Sequence, residues 1–143
     1  MAPGITTRAT AAVTYTIPKI DVQFASTWTS SPGVPLQANW SIPNATVRQW
    51  LGRDLSGSAP NVSVNLLGPD QMQSDRVNIL DFRVGKVVRH GRHRALVALD
   101  LFNALNLDTV LVYNQTYVPN GSWLIPQTVL TARTAKLTVQ YDF

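Results

Sequence analysis

The sequence predicts an all-β fold of antiparallel, up-and-down strands, and three observations carry that expectation. Val and Thr together supply 30 of the 143 residues, Glu is absent, and Lys occurs three times. That balance is poor in helix formers and rich in side chains that suit a pleated, half-covered surface. Apolar residues recur at every second position through five segments of about nine to twelve residues, the period of a strand with two unlike faces. Short turns alternate with long polar connections along the chain.

Each element follows from its own pattern. Ala11, Val13, Tyr15 and Ile17 alternate with Ala12, Thr14 and Thr16 until Pro18 and Lys19 break the run. Ile20, Val22, Phe24 and Trp28, alternating with Asp21, Gln23 and Thr27, predict a second strand and hence a hairpin with a short turn. Residues 31–77 and 103–130 are long, polar segments that hold seven of the nine Pro. Loops of that length are uncommon inside a compact domain and usually functional. Short strands near Leu36 to Ile42 and Val62 to Leu67 are expected to form a hairpin within the first of them. In residues 80 to 88, Leu80, Phe82, Val84 and Val88 lie opposite Asp81 and Arg83. In residues 94 to 102, Ala95, Val97, Leu99 and Leu101 lie opposite Asp100, and a tight turn at His90-Gly91-Arg92 joins the two. The last strand sets Ala135, Leu137, Val139, Tyr141 and Phe143 against Lys136, Thr138, Gln140 and Asp142.

Several function classes are disfavoured. Without Cys there is no disulfide framework, zinc ribbon or thiol nucleophile. No run of apolar residues is long enough for a membrane-spanning helix, and the start shows no charged segment followed by an apolar one. The net charge of +4 comes with nine scattered Arg that form no continuous stripe, so no nucleic-acid partner is expected. Gly-rich phosphate loops, Ser nucleophile elbows and HExxH patterns are missing. No enzymatic activity, catalytic set, cofactor or metal site is therefore expected. His90 and His93, among Arg89, Arg92 and Arg94, lack the carboxylate or Cys that would complete a ligand set and suit a solvated turn better. On a membrane wall these cations would meet lipid head groups.

Short turns on one side and long loops on the other is the asymmetry of an outer-membrane β-barrel. Charge placement agrees with it. Asp21, Asp81, Arg83, Asp100, Lys136 and Asp142 share the polar faces of their strands, as residues facing a lumen would. Lys86 and Arg133 fall on the apolar faces, both near strand ends, where a lipid-facing cation is cheap; at the bilayer midplane it costs about 2–4 kcal/mol. Leu96 and Phe102 break the pattern on the polar face. Trp40, Trp50, Arg53, Tyr113 and Trp123 lie in the long segments, with Arg48, Tyr117, Asn114 and Asn120, a mixture suited to gripping a ligand. A soluble secreted β-sandwich that binds carbohydrate through its loop tryptophans would show the same alternation with its apolar face turned inward.

Three stretches together resemble the C-terminal part of TonB-dependent outer-membrane receptors, the Oar-like group in particular. Asp75 to Lys86 matches that family's Asp-Arg-x-Asn-x-x-Asp-x-Arg-x-Gly-Lys stretch, and Asp100, Asn103 and Asn106 match its Asp-x-x-Asn-x-x-Asn run. Trp123 to Pro126 matches its Trp-x-x-Pro loop, and Phe143 its closing aromatic residue. The resemblance implies a partial barrel, residues 1–143, cut from a barrel of about 22 strands. Its turns would be periplasmic and its loops at 31–77 and 103–130 extracellular. It also implies that Leu137, Val139, Tyr141 and Phe143 form the terminal signal read by barrel-assembly machinery through strand addition. The plug and the energy-coupling box of such receptors have no counterpart in the sequence. The expected partners are outer-membrane lipid, the assembly machinery, and the plug and other strands of the receptor, with the TonB system reached through them. The expected location is the bacterial outer membrane.

Overall fold

The computed structural model describes residues 6–119 and 121–142. Its elements in chain order are β1 (Ala9–Ile17), β2 (Val22–Ser31), β3 (Asn39–Pro43), α1 (Asn44–Leu51), β4 (Asn61–Asn65), β5 (Val77–His90), β6 (His93–Phe102), β7 (Val110–Tyr113), β8 (Thr116–Tyr117), β9 (Pro126–Val129) and β10 (Thr134–Asp142). The chain is all-β and mostly antiparallel, and it divides into two compact units.

The larger unit takes residues 6–32, Arg76–Thr109 and residues 130–142. It is one open sheet in the order β1-β2-β5-β6-β10, every neighbour antiparallel, with β1 and β10 at its margins. Register carries each strand's alternation across the whole sheet. One row runs Tyr15, Phe24, Val84, Leu99, Leu137, and the next Ile17, Val22, Lys86, Val97, Val139. Side chains one position away fall on the other face, so Thr27 and Asp81 are partners, as are Arg83 and Asp100. All five long strands anticipated from periodicity are present.

The two hairpin turns differ. Gly91 and Arg92 make a two-residue connection in which only Gly91 has positive φ (61°), the requirement of a type II′ turn and one that glycine meets without strain. The β1–β2 turn takes residues 18–21, closing between Ile17 and Val22. Ile20 and Asp21, anticipated in the second strand, therefore stand in the turn. The cause is local: Pro18 has no N–H to give a ladder, and Lys19 and Asp21 take positive φ of 78° and 49°. The Asp21 carbonyl then accepts the Val87 N–H at 3.0 Å.

The smaller unit, Gly33–Asp75 with Val110–Val129, is made of what the sequence presents as the two long loops. The anticipated hairpin forms from β3 and β4, and β8 adds to β3 in parallel. β7 pairs with β9 through two register shifts. Leu36, Ala38, Ile42 and Val47 are buried in this unit. α1 begins directly after Pro43 and ends at Gly52, whose φ of 67° lets its N–H bond the Arg48 carbonyl at 2.9 Å.

Candidate functional site

The polar face of the larger unit is organised around one charged row. Arg83 on β5, Asp100 on β6 and Lys136 on β10 are register partners on three neighbouring strands. Arg83 donates to Asp100 Oδ1 at 3.0 Å, and the Asp100 side chain is only 9 % exposed against 46 % for Arg83. A carboxylate that has lost its water needs such a partner. Ala98 and Val87 are buried on the same face. Gly85 is buried beside them, and an added Cβ there would make an ordinary van der Waals contact of 3.4 Å with the Ala98 methyl. Asp81 Oδ1 accepts the Asn103 N–H at 2.9 Å, and Lys136 is exposed. Asp21 lies away from the row, in its turn, where it pairs with Arg89 at 3.3 Å. A cleft of about 240 Å³ is lined by Ala25, Thr27, Asp81, Phe82, Arg83, Asp100 and Phe102.

Asn103 closes this row at the end of β6. It is buried and takes φ of 48°, a conformation that Asn tolerates better than most residues. Its amide donates to the Leu107 and Thr131 carbonyls, both at 2.8 Å, and its Oδ1 accepts the Leu107 N–H at 3.1 Å. Asn106 repeats the device with φ of 52°, its Oδ1 accepting the Arg133 N–H at 3.0 Å. The Asp-x-x-Asn-x-x-Asn spacing is thus a corner that ends one strand and fastens the lead-in to β10.

In the smaller unit, four aromatic rings form a continuous row. Centroids of Trp50 and Trp40 are 5.9 Å apart, those of Trp40 and Tyr117 6.2 Å, and those of Tyr117 and Trp123 6.1 Å. Residues far apart in sequence meet because Trp40 and Tyr117 are partners in the parallel β3–β8 pair. Trp123 is held by its indole N–H on the Gln37 carbonyl at 2.9 Å. The rings meet edge-on or tilted, so each uses part of its surface on its neighbour; Trp50, at the end of α1, remains 59 % exposed. Arg53 is exposed just past the helix, while Tyr113 on β7 joins no ring contact among the described residues. Asn120 lies outside the described residues.

Asp54 fastens the segment after α1. Its Oδ1 accepts from Arg48 at 2.7 Å and from the Asn44 amide at 2.9 Å, and the Arg48 bond, then the Asn44 bond, hold its carboxyl below the usual carboxylate range. A larger cleft, about 540 Å³, lies elsewhere, along the single run Leu67 to Met72. It gathers no set of chemically active groups, so its size carries little weight beside the charged row. Among the described residues no three of His or Asp come together as a metal site.

On β10, Leu137, Val139 and Tyr141 are 68, 65 and 57 % exposed, and Phe143 lies outside the described residues. No family model matches the chain, and no curated protein or solved structure is similar to it.

Proposed function

We propose that the chain is C-terminal barrel wall and entrance loops of a TonB-dependent receptor in the bacterial outer membrane, serving substrate uptake. One observation carries most of this reading. The apolar face of the five-stranded sheet is open on every strand: Val13, Tyr15, Phe24, Trp28, Val84, Val88, Val97, Leu99, Leu137, Val139 and Tyr141 are all exposed, while the charged row lies on the other face. Hydrocarbon is the environment in which that distribution costs least. A secreted sandwich needs the reverse, with Leu99, Leu137 and Val139 hidden under a second sheet.

Two further features support it. From Leu80 to Val88 the apolar band runs roughly 26 Å along the strand, or roughly 20 Å across a bilayer at a tilt of about 40°, near the apolar band of about 25 Å in such barrels. β1 and β10 run in the same direction, so an antiparallel wall closes on them only through an odd number of further strands. Within this reading Asp81, Arg83, Asp100 and Lys136 line the lumen. β10 carries the assembly signal, and Trp40, Trp50, Arg53, Tyr113 and Trp123 meet the substrate.

Trp28 provides the test, because it lies on the apolar face. With Trp40, Trp50 and Trp123 changed to Phe, Trp28 fluorescence in vesicles should be quenched by lipids brominated along the acyl chain. A water-soluble monomer whose Trp28 ignores those lipids would refute the assignment.

A further inference from the structure

We infer that the short-turn end of the five-stranded sheet is a binding surface for the phosphate of an anionic phospholipid head group. The inference rests on the proposal that the apolar face meets lipid, and it adds which head group that wall prefers at one of its two margins.

Among the described residues this end gathers five cations, Lys19, Lys86, Arg89, Arg92 and Arg94, against two carboxylates, Asp21 and Asp142. The placement works against the fold. Arg89 and Arg94 are direct register partners. Like charges set opposite each other weaken a sheet. Asp21 at 3.3 Å relieves Arg89, and Asp142 stands opposite Arg94 in the register, which leaves Lys19, Lys86 and Arg92 as the surplus. An anion from outside the chain would offset that repulsion.

The neighbouring side chains say what else the anion carries. Val88, Ala95 and Tyr141 form the last row of the apolar face, and His90 and His93 lie immediately beyond it. A cleft of about 260 Å³ is lined by these five residues. Tyr141 Oη is 2.8 Å from His93 Nδ1, and the two rings are stacked with centroids 5.8 Å apart and planes 14° from parallel. An aromatic ring with its polar tip directed away from an apolar band is the arrangement of a membrane interface. Lys86 is on the apolar face one row further in, with a stem long enough to carry its ammonium to that interface. Apolar wall, aromatic margin and cations follow one another in the order of acyl chain, ester region and phosphate.

The experiment compares vesicles of phosphatidylcholine alone with vesicles that also contain phosphatidylglycerol, with Trp28 quenching as the readout of insertion. Lys19→Gln/Arg92→Gln removes two exposed cations of that surplus, and each should weaken partitioning onto the anionic vesicles about fivefold, roughly 25-fold together, with little change on the neutral ones. Arg8→Gln/Arg133→Gln changes the net charge equally at the other end of the sheet and should leave partitioning within a few fold of the parent chain. Equal losses in the two double variants would reduce the effect to net charge and overturn the inference. So would displacement by inorganic phosphate at matched ionic strength, which would assign the cluster to a soluble anion. If Trp28 is quenched equally in both vesicle types and in every variant, the wall reading stands and the head-group site falls. If it is quenched in none, the wall reading itself has failed.

Discussion

Among the described residues, those buried in the smaller unit are Leu36, Ala38, Ile42 and Val47, all apolar, whereas those buried in the larger unit are Gly85, Val87 and Ala98 together with Ser30, Asp100 and Asn103. The larger unit also keeps its big apolar side chains outside, with Leu99 51 % and Leu137 68 % exposed. One chain therefore holds two ways of choosing an interior. The loop-derived unit excludes water from hydrocarbon, as a water-soluble domain does. The sheet keeps Asp100, hydrogen-bonded to Arg83, on its less exposed face and leaves hydrocarbon uncovered on the other. The difference teaches that strand-rich units of one chain can bury opposite kinds of side chain.

The strongest test of this contrast is Asn103→Ala. The substitution removes three side-chain hydrogen bonds and places Ala at a φ of 48°. At about 0.5–1.5 kcal/mol for each bond and about 1 kcal/mol for the left-handed backbone, the larger unit should lose about 3–5 kcal/mol. Hydrogen exchange of the β5 and β6 amides reads this directly. A loss under about 1 kcal/mol would mean that the polar corner holds nothing together.

The next test exchanges the two interiors. Leu36→Ala should cost the smaller unit about 2–4 kcal/mol by opening a cavity, read from exchange of the β3 and β4 amides. Leu99→Arg should cost about 2–4 kcal/mol for the chain folded in a bilayer. If the apolar face met water instead, the same change would stay within about 0.5 kcal/mol. Comparing folding in vesicles and in buffer separates the two, and a neutral Leu99→Arg in vesicles would erase the difference between the units.

The sheet was legible in the sequence because five long segments repeat one period, which errors at single positions such as Leu96 and Phe102 do not disturb. Its ends were less so: Ile20 fits the strand period, and only the backbone of Lys19 and Asp21 removes it from β2. The β3–β4 hairpin was visible because each half has its own short alternation. α1 was not, since its eight residues follow a Pro, carry no acidic residue in the first turn and lack a side-chain cap, leaving Gly52 and the Asp54 clamp to fix it. β8 has only two residues and β7 pairs through bulges, so neither presents a period to detect. The aromatic residues of the loops stand out by type, but their common row depends on the parallel β3–β8 register, and Tyr113 shows that sharing a loop does not suffice. In the sequence Asp100 and Asn103 stand out only as matches to a motif; their burial and their role as a corner come from the fold.

The smallest expected effect lies on the loop side of the comparison, at Asp54. Its carboxyl is held below its ordinary range chiefly by the Arg48 hydrogen bond and then by that of Asn44. A group whose folded pKa is depressed contributes stability that is present above its unfolded pKa and is lost as the pH falls through the folded value. The segment after α1 should therefore stay fastened at neutral pH and loosen only in acid below the usual carboxylate range, the Leu55 amide exchanging faster as it does. Both partners are largely exposed, at 63 and 55 %, so salt should weaken the effect. In Arg48→Gln the Asp54 carboxyl, followed by carbon NMR, should titrate nearer its ordinary value and the loosening should begin at higher pH. An unchanged titration would show that the Asn44 amide alone holds the loop. In that case the Arg48–Asp54 clamp would contribute nothing beyond a neutral hydrogen bond, and among the described residues ion pairing would matter on the sheet alone.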